Sequence, residues 1–195
     1  MKTPQLDEKK IRKIIADNGV SQDKVCVLAI RGYYLDSMGK KGKNDRRIYD
    51  DAMFIVYPDG ISRWQANTDP NGYRKGSGTG KGKGMAMLKP GVWRYGTGKH
   101  KGRLAFRQCE QVTVIRDGNP PYEHKGWHAI NLHSGGYTST SSLGCQTLPA
   151  QTWNDFRVQL YGLLERYKNP IRKNDWGQSV RSFDYCLVEE TSLRG

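Results

Sequence analysis

Residues 127–149, with the sequence WHAINLHSGGYTSTSSLGCQTLP, hold the most informative stretch of the chain. The run His128 to His133 is strand-like and ends on a histidine. A loop of small and hydroxyl residues follows, and the pair Gly144-Cys145 then precedes Pro149, which can open a helix. This order predicts a strand, a returning loop and a helix, with a histidine and a cysteine at the two ends of the loop.

Cys145 and His133 have the residue types of a nucleophile and its base. A thiol attacks only as the thiolate, and a nearby imidazole lowers its pKa, so the two side chains have to meet in space. A separation of twelve residues allows that. Gly144 leaves the backbone open beside the sulfur, where amide groups could face the oxyanion of a tetrahedral intermediate, and a nearby helix start would favour the thiolate further. Taken singly, a cysteine or a strand histidine is more often structural.

The other cysteines and the histidines give no metal motif. Cys26, Cys109 and Cys186 lie in strand-like runs without a following glycine turn, and no C-x-x-C pair is present, so we expect reduced, structural thiols. His124 and His128 are four residues apart, but Gly126 argues against the helix that such a zinc pair needs. We expect no metal and no cofactor.

The remaining sequence predicts a β-rich α+β domain. A helix over Glu8 to Asn18, with Asp7 before it and Gly19 after it, makes residues 1–20 an N-terminal helix, and residues 21–195 form one catalytic domain. Gly32 to Asp45 reads as a loop. The apolar positions after Pro149 recur at helical spacing and predict a flanking helix. Strands are predicted at Val25–Ile30, Ala52–Tyr57, Ile61–Ala66, Gly91–Tyr95, Leu104–Arg107, Gln111–Arg116 and Phe183–Val188.

A Gly/Lys-rich loop occupies residues 71–84, where six of fourteen positions are glycine and four are basic. Gly80-Lys81 is followed by Gly82, so the phosphate-loop pattern G-x-x-x-x-G-K-[ST] fails. The pattern G-x-G-x-x-G fails as well. We therefore interpret the segment as a mobile flap near the active-site cleft.

The segment from His133-Ser134 to Ser141-Ser142-Leu143-Gly144-Cys145 resembles the signature of the L,D-transpeptidase (YkuD-like) family. More loosely, Asn67-Thr68-Asp69 resembles the family's Ser-Thr-Gly turn, and residues 88–93 resemble its Thr-Pro-x-Gly-x-Phe segment. The resemblance spans Val25 to Phe156. Leu143 stands where the family usually has a histidine, Thr147 where it commonly has Asn or Arg, and the spacer is several residues shorter.

The resemblance implies an L,D-transpeptidase-like sheet sandwich with one flanking helix and an N-terminal helix. It also implies a thioester acyl-enzyme on peptidoglycan stem peptides, with Cys145 as nucleophile and His133 as base. Gly144, Ser134 and Ser142 would form the oxyanion and orienting group, and the Ser134 carbonyl would orient His133. His128, at an odd offset from His133 on one presumed strand, would face the other side and have a supporting role. Hydrolysis and transpeptidation both stay open.

Lys and Arg exceed Asp and Glu by thirteen, which favours an anionic partner such as the cell envelope. No apolar run suits a bilayer span or a secretory signal. We therefore expect a monomeric phage lysis enzyme (endolysin), made in the bacterial cytoplasm and acting on the cell wall, with a secreted antibacterial effector as the alternative. A basic nucleic-acid-binding protein is the alternative from another class, although we expect no specific nucleic acid. It would use Arg74, Lys75, Lys81 and Lys83, with Tyr73 or Trp64 as stacking partners.

Overall fold

The computed structural model describes residues 2–34, 38–78 and 81–193, and these residues form two α-helices and twelve β-strands. The helices are α1 (Glu8–Asp17) and α2 (Ala150–Arg166). The strands are β1 (Cys26–Arg31), β2 (Asp51–Tyr57), β3 (Gly60–Ala66), β4 (Ala86–Leu88), β5 (Gly91–His100), β6 (Arg103–Gln108), β7 (Val112–Arg116), β8 (Tyr122–Gly126), β9 (Leu132–Ser134), β10 (Gln146–Leu148), β11 (Ile171–Lys173) and β12 (Ser179–Glu189). A 3₁₀ turn, Glu190–Leu193, follows β12.

The main sheet is a nearly closed barrel. Its strand order is β10-β9-β6-β5-β12-β1-β2-β3, and β11 pairs with β12 outside this path. The pairs β1–β12 and β9–β10 are parallel, and the other pairs are antiparallel. Asn67, just after β3, exchanges two backbone hydrogen bonds of 2.8 Å with Thr147 in β10. This bridge joins the first and last strands of the path.

The central strands are buried on both faces, because each face carries its own apolar cluster. Alternate residues of β1 point to opposite sides, so Val27 and Ala29 join the larger cluster while Leu28 and Ile30 join the smaller one. Helix α2 packs on the first face through Trp153, Phe156, Leu160, Leu163 and Leu164. Helix α1 packs on the second face through Ile11, Ile14 and Ile15.

Both helices begin where the sequence predicts. The Asp7 carboxylate caps α1 by accepting hydrogen bonds from the amides of Lys9 and Lys10 at 2.9 and 3.3 Å. Pro149 precedes α2 as its N-cap residue. Across the described residues, neither helix combines the length and the apolar character that crossing a membrane requires.

A second, three-stranded antiparallel sheet has the order β4-β7-β8. The described part of the Gly/Lys-rich loop is tied to it through Asp117, which follows β7. The Asp117 carboxylate accepts two hydrogen bonds from Arg46, at 2.7 and 2.8 Å, and one from the Arg74 amide at 3.1 Å. The Asp117 carbonyl accepts from the amide of Gly76 at 3.1 Å. Thr79 and Gly80 of this loop, and residues 35–37 of the predicted 32–45 loop, lie outside the described residues.

The β-rich α+β class with two helices is confirmed, and the expected sandwich is a nearly closed barrel instead. The strand predicted over His128–His133 is wrong for most of its length. Ala129 has a φ of 52°, which interrupts extended backbone, so only Leu132–Ser134 forms a strand. The short strands β4, β8, β10 and β11 were not predicted. The predicted strand at Gly91–Tyr95 continues to His100.

Candidate active site

His133 and Cys145 come from neighbouring segments of the main sheet. His133 lies in β9, where it pairs with Thr147 of β10, and Cys145 immediately precedes β10, two residues before Thr147. The sheet therefore brings the segments that carry the predicted nucleophile and base side by side. Among the described residues, no hydrogen bond joins Cys145 Sγ to His133.

The sulfur of Cys145 is held by backbone groups. The amide of Asn131 donates to Cys145 Sγ at 3.4 Å, and the Cys145 thiol donates to the Ala129 carbonyl at 3.4 Å. The residue is only 9% exposed. Burial raises the pKa of the Cys145 thiol, while the Asn131 amide, Lys101 and Arg107 oppose that rise. The resting sulfur is therefore a protonated thiol with one N–H already directed at it.

The His133 imidazole is fixed in one tautomer. Its Nδ1 lies 2.7 Å from the Ser134 carbonyl oxygen, and a carbonyl can only accept, so Nδ1 carries the proton. The lone pair of the neutral ring is then on Nε2. Burial lowers the His133 pKa, and Lys101 lowers it further, although the hydrogen bond to Ser134 opposes the shift. These directions favour a neutral imidazole and a neutral thiol at rest, in place of the ion pair expected from the sequence.

A cavity of about 520 Å³ opens beside His133. His133, Ser134 and Ser141 line it from the His-to-Cys segment, while Cys145 is not among its lining residues. The other lining residues are His100, Lys101, Arg103, Leu104 and Trp153. The thiol thus lies outside the lining of this cavity, whereas the His133 imidazole borders it.

Gly144 and Ser142 stabilise the turn before Cys145. The Gly144 amide donates to Ser142 Oγ at 3.0 Å, and Ser142 Oγ donates to the Cys145 carbonyl at 2.6 Å. Gly144 has a φ of 137°, and a Cβ there would stand 2.2 Å from the Ala86 carbonyl oxygen of β4. Only glycine fits this position. The Gly144 N–H, a candidate for the oxyanion, is therefore already bonded to Ser142.

The loop between His133 and Cys145 is held by Tyr49. The Tyr49 hydroxyl lies 3.0 Å from the carbonyl oxygens of Gly136 and Ser139. A Cβ at Gly135 would meet that hydroxyl oxygen at 2.1 Å, so the small residues of the loop allow the tyrosine to approach. Leu143, two residues before Cys145, is 70% exposed.

His128 lies apart from the His133–Cys145 ribbon. Its Nε2 donates to the His124 carbonyl at 3.1 Å, and its Nδ1 lies 3.4 Å from Arg116 Nη2. Both ring nitrogens thus have protein partners beside the small sheet. The presumed strand shared with His133 does not exist, so the odd-offset argument for its orientation was wrong. The predicted helix start is also not next to the thiol in the chain, because β10 separates Cys145 from α2.

Two residues of the site were not identified from the sequence. The His100 ring stacks on that of His133, with centroids 4.4 Å apart and planes at 5°. Asn131 Nδ2 donates to His100 Nδ1 at 2.8 Å, while the Asn131 backbone amide contacts Cys145. A chain of contacts therefore leads from the Cys145 thiol through Asn131 and His100 to the His133 ring. The Lys101-Gly102 turn, which ends β5, was the available signal for His100.

Among the described residues, no group of three or more His, Cys, Asp or Glu side chains is placed to hold a metal ion. Comparison of the chain with protein-family models, with curated proteins and with solved structures found no match.

Proposed function

We propose that the protein is a cysteine peptidase or transpeptidase that acts on peptidoglycan stem peptides through a thioester acyl-enzyme. The observation that carries the proposal is the fixed tautomer of His133, in the strand that pairs with β10, directly after Cys145. The Nδ1–H bond to the Ser134 carbonyl leaves Nε2 as a proton acceptor beside the cavity. A base and a nucleophile in this relation are what acyl transfer requires.

In the proposed first step, the thiol proton leaves its resting acceptor, the Ala129 carbonyl, and passes to His133 Nε2. The sulfur attacks the peptide carbonyl carbon to give a tetrahedral intermediate. This collapses with cleavage of the C–N bond, and His133 returns the proton to the leaving amine. The products are a free amine and a Cys145 thioester. The Asn131 N–H bond to sulfur stabilises the thiolate during the attack.

In the second step, water or an amine attacks the thioester and the thiol is regenerated. His133 accepts the proton of the incoming nucleophile and returns it to the sulfur. Water gives hydrolysis and an amine gives transpeptidation. We assign Ser142 an orienting role, because its hydroxyl fixes the turn on both sides of the sulfur.

We place this chemistry in a phage lysis enzyme, with a secreted antibacterial effector as the alternative context. The net charge of +13 supports an anionic envelope as the surface on which the enzyme works. The nucleic-acid alternative loses one of its stacking residues, because Trp64 packs edge-on against Phe156 at 5.6 Å. Tyr73 is exposed, with the Arg46 guanidinium 5.5 Å from its ring centroid.

The test is digestion of purified sacculi, with the released muropeptides identified by mass. We expect cleavage after an L-centre in the stem peptide by the unaltered protein, none by Cys145→Ala, and full cleavage by Cys109→Ala. Burial raises the pKa of Cys109 to about 12, which makes it a suitable control thiol. Equal cleavage by Cys145→Ala and the unaltered protein would overturn the proposal.

A further inference from the structure

We propose that the turn joining β5 to β6 binds a carboxylate of the acyl donor, so that the enzyme selects peptides with a free carboxylate within one residue of the cleaved bond. The binding groups are His100, Lys101 and Arg103. This inference rests on the proposed function and specifies its substrate.

The hairpin brings the three side chains to one place. His100 pairs with Arg103 across the β5–β6 ladder, and only Lys101 and Gly102 lie between them. Paired residues of a ladder share a face. All three side chains line the cavity that His133 also lines. A ligand in this cavity therefore meets the basic groups and the candidate base together.

The two cations are not neutralised by the protein. Among the described residues, no carboxylate pairs with Lys101 or Arg103, and the cavity lining contains no Asp or Glu. The neighbouring Arg107 differs, because Asp175 accepts two hydrogen bonds from it at 2.5 and 2.6 Å. Both cations at the turn are therefore available to an anion from outside the chain, whereas Arg107 is already paired.

The positive charge of Lys101 affects the pKa values of the groups assigned to the reaction. After burial, which is the largest cause in each case, Lys101 is among the charges that lower the pKa of His100, His133 and Cys145. A carboxylate bound at Lys101 would offset this positive potential. It would therefore raise the pKa of His133, and this rise reports ligand binding without turnover.

The backbone places Lys101 at a position that lysine rarely occupies. Its φ is 50° and that of Gly102 is 79°, as in a type I′ turn, where Asn-Gly is the favoured pair. A non-glycine residue with a positive φ is unfavourable, and such residues cluster at ligand sites. The strained lysine lies at the rim of the cavity, where its ammonium group is useful for binding.

His100 adds a directed hydrogen-bond donor. Burial and the neighbouring His133 lower the pKa of His100 to about 4, so the ring is neutral at neutral pH. Its Nδ1 accepts from Asn131 Nδ2, so the ring proton is on Nε2. His100 lines the cavity together with the two cations, and among the described residues its Nε2–H has no protein acceptor, so it is free to donate to a ligand.

A stem peptide offers two carboxylates of this kind: the C-terminal one of the leaving residue, and the one carried by a diaminopimelate side chain. Binding of four otherwise identical stem tetrapeptides to Cys145→Ala protein, measured by calorimetry, separates them. The four combine diaminopimelate or lysine at position three with a free or amidated C-terminus. We expect loss of the recognised carboxylate to weaken binding about tenfold, the size of one charge-assisted contact. The carboxylate whose removal weakens binding is the one that the site recognises.

The double variant Lys101→Gln/Arg103→Gln, in the Cys145→Ala background, should remove that preference. The matched control, Lys9→Gln/Lys125→Gln, deletes two exposed charges outside the cavity and should keep it. His133 NMR titrations should show a higher pKa with the preferred peptide bound. Equal binding of all four peptides, or binding of none, overturns the carboxylate site. Digestion of sacculi judges the proposed function separately, so an active enzyme without carboxylate preference would refute this inference alone.

Discussion

The rings of His100 and His133 lie parallel at a centroid distance of 4.4 Å. Two imidazolium ions at this separation would repel each other, so protonation of one opposes protonation of the other. The positive charge of Lys101 acts in the same direction on both. Burial, the largest cause for both rings, also lowers their pKa values, so protonation is disfavoured and His133 is available to accept a proton.

The first prediction concerns His133 and His128. His133→Ala removes the only imidazole assigned as base and should reduce kcat/KM for a stem peptide by about 10² to 10⁴-fold. His128→Ala should reduce it much less, because both nitrogens of that ring contact the small sheet. Steady-state kinetics of the two variants checks this. If His128→Ala loses more kcat/KM than His133→Ala, with the melting temperature unchanged, then His128 and not His133 is the base.

The second prediction concerns pH. The proposed mechanism requires neutral His133, whose pKa lies below its ordinary value of about 6.5 because the ring is buried. The midpoint of the acid limb of the kcat/KM profile should therefore lie below pH 6.5. The enzyme should still be active at pH 6.5. In Lys101→Gln this limb should move to higher pH, since a positive charge beside the ring is lost. A limb that is unchanged in Lys101→Gln would contradict the electrostatic coupling.

A second measurement follows the rate of Cys145 alkylation against pH in the free enzyme. This rate should increase only above about pH 8.5, the ordinary pKa of a thiol, because burial raises the pKa of Cys145. Fast alkylation at pH 6 would instead show a resting thiolate.

The sequence predicts the residues of this site that lie close together in the chain and misses one that lies far from them. Cys145, His133 and Gly144 lie in one segment, where local spacing identifies them. His100 lies 33 residues upstream of His133, and the strand that carries it was predicted to end at Tyr95. Gly96 and Gly98 obscured the continuation. Both are required by packing, because a Cβ would stand 2.6 Å from Val180 Cγ2 at Gly96 and 2.7 Å from Arg107 Cδ at Gly98.

The fold class was predictable for a similar reason. Long apolar runs and the α2 stripe have a clear period, whereas β4, β10 and β11 have only three residues each. A strand of that length has no recognisable alternation. The closure of the main sheet depends on one such strand, β10, so the sequence pattern predicted the β-rich class without the closure, and the sandwich came from the resemblance alone.

The third prediction uses two glycines of opposite environment. Gly144→Ala places a Cβ 2.2 Å from the Ala86 carbonyl oxygen at a φ of 137°. It should lower the free energy of unfolding by about 1–3 kcal/mol, as overpacking and backbone strain do. Gly162→Ala, on α2 with no atom within 4 Å of the new Cβ, should raise that free energy by about 0.5–1 kcal/mol. Chemical denaturation measures both.

If Gly144→Ala were as stable as the unaltered protein, the close approach of β4 to the nucleophile turn would be wrong.

The fourth prediction concerns the Gly/Lys-rich loop, whose role as a mobile flap near the cleft stays a prediction. Its described residues do not line the cavity, and Asp117 ties them to the small sheet. Asp117→Ala removes the bonds to Arg46 and to the Arg74 amide, so hydrogen exchange of the described loop residues, 71–78 and 81–84, should accelerate. Glu123→Gln, which breaks an exposed ion pair with Lys89, is the control and should change little.

If hydrogen exchange of the loop is unchanged in Asp117→Ala, then Asp117 does not restrain the loop. A mobile flap would behave in this way.

The bridge between Asn67 and Thr147 also has a consequence for the order of folding. It joins residues 80 positions apart, and Thr147 is only two residues from Cys145. Contacts of such long range form late, because the entropy of closing the intervening chain has to be overcome first. A chain still emerging from the ribosome can build β1–β3 and yet has no partner for Asn67. We therefore expect Cys145 to reach its native position only after the main sheet has closed, and partly folded chains to lack the proposed activity.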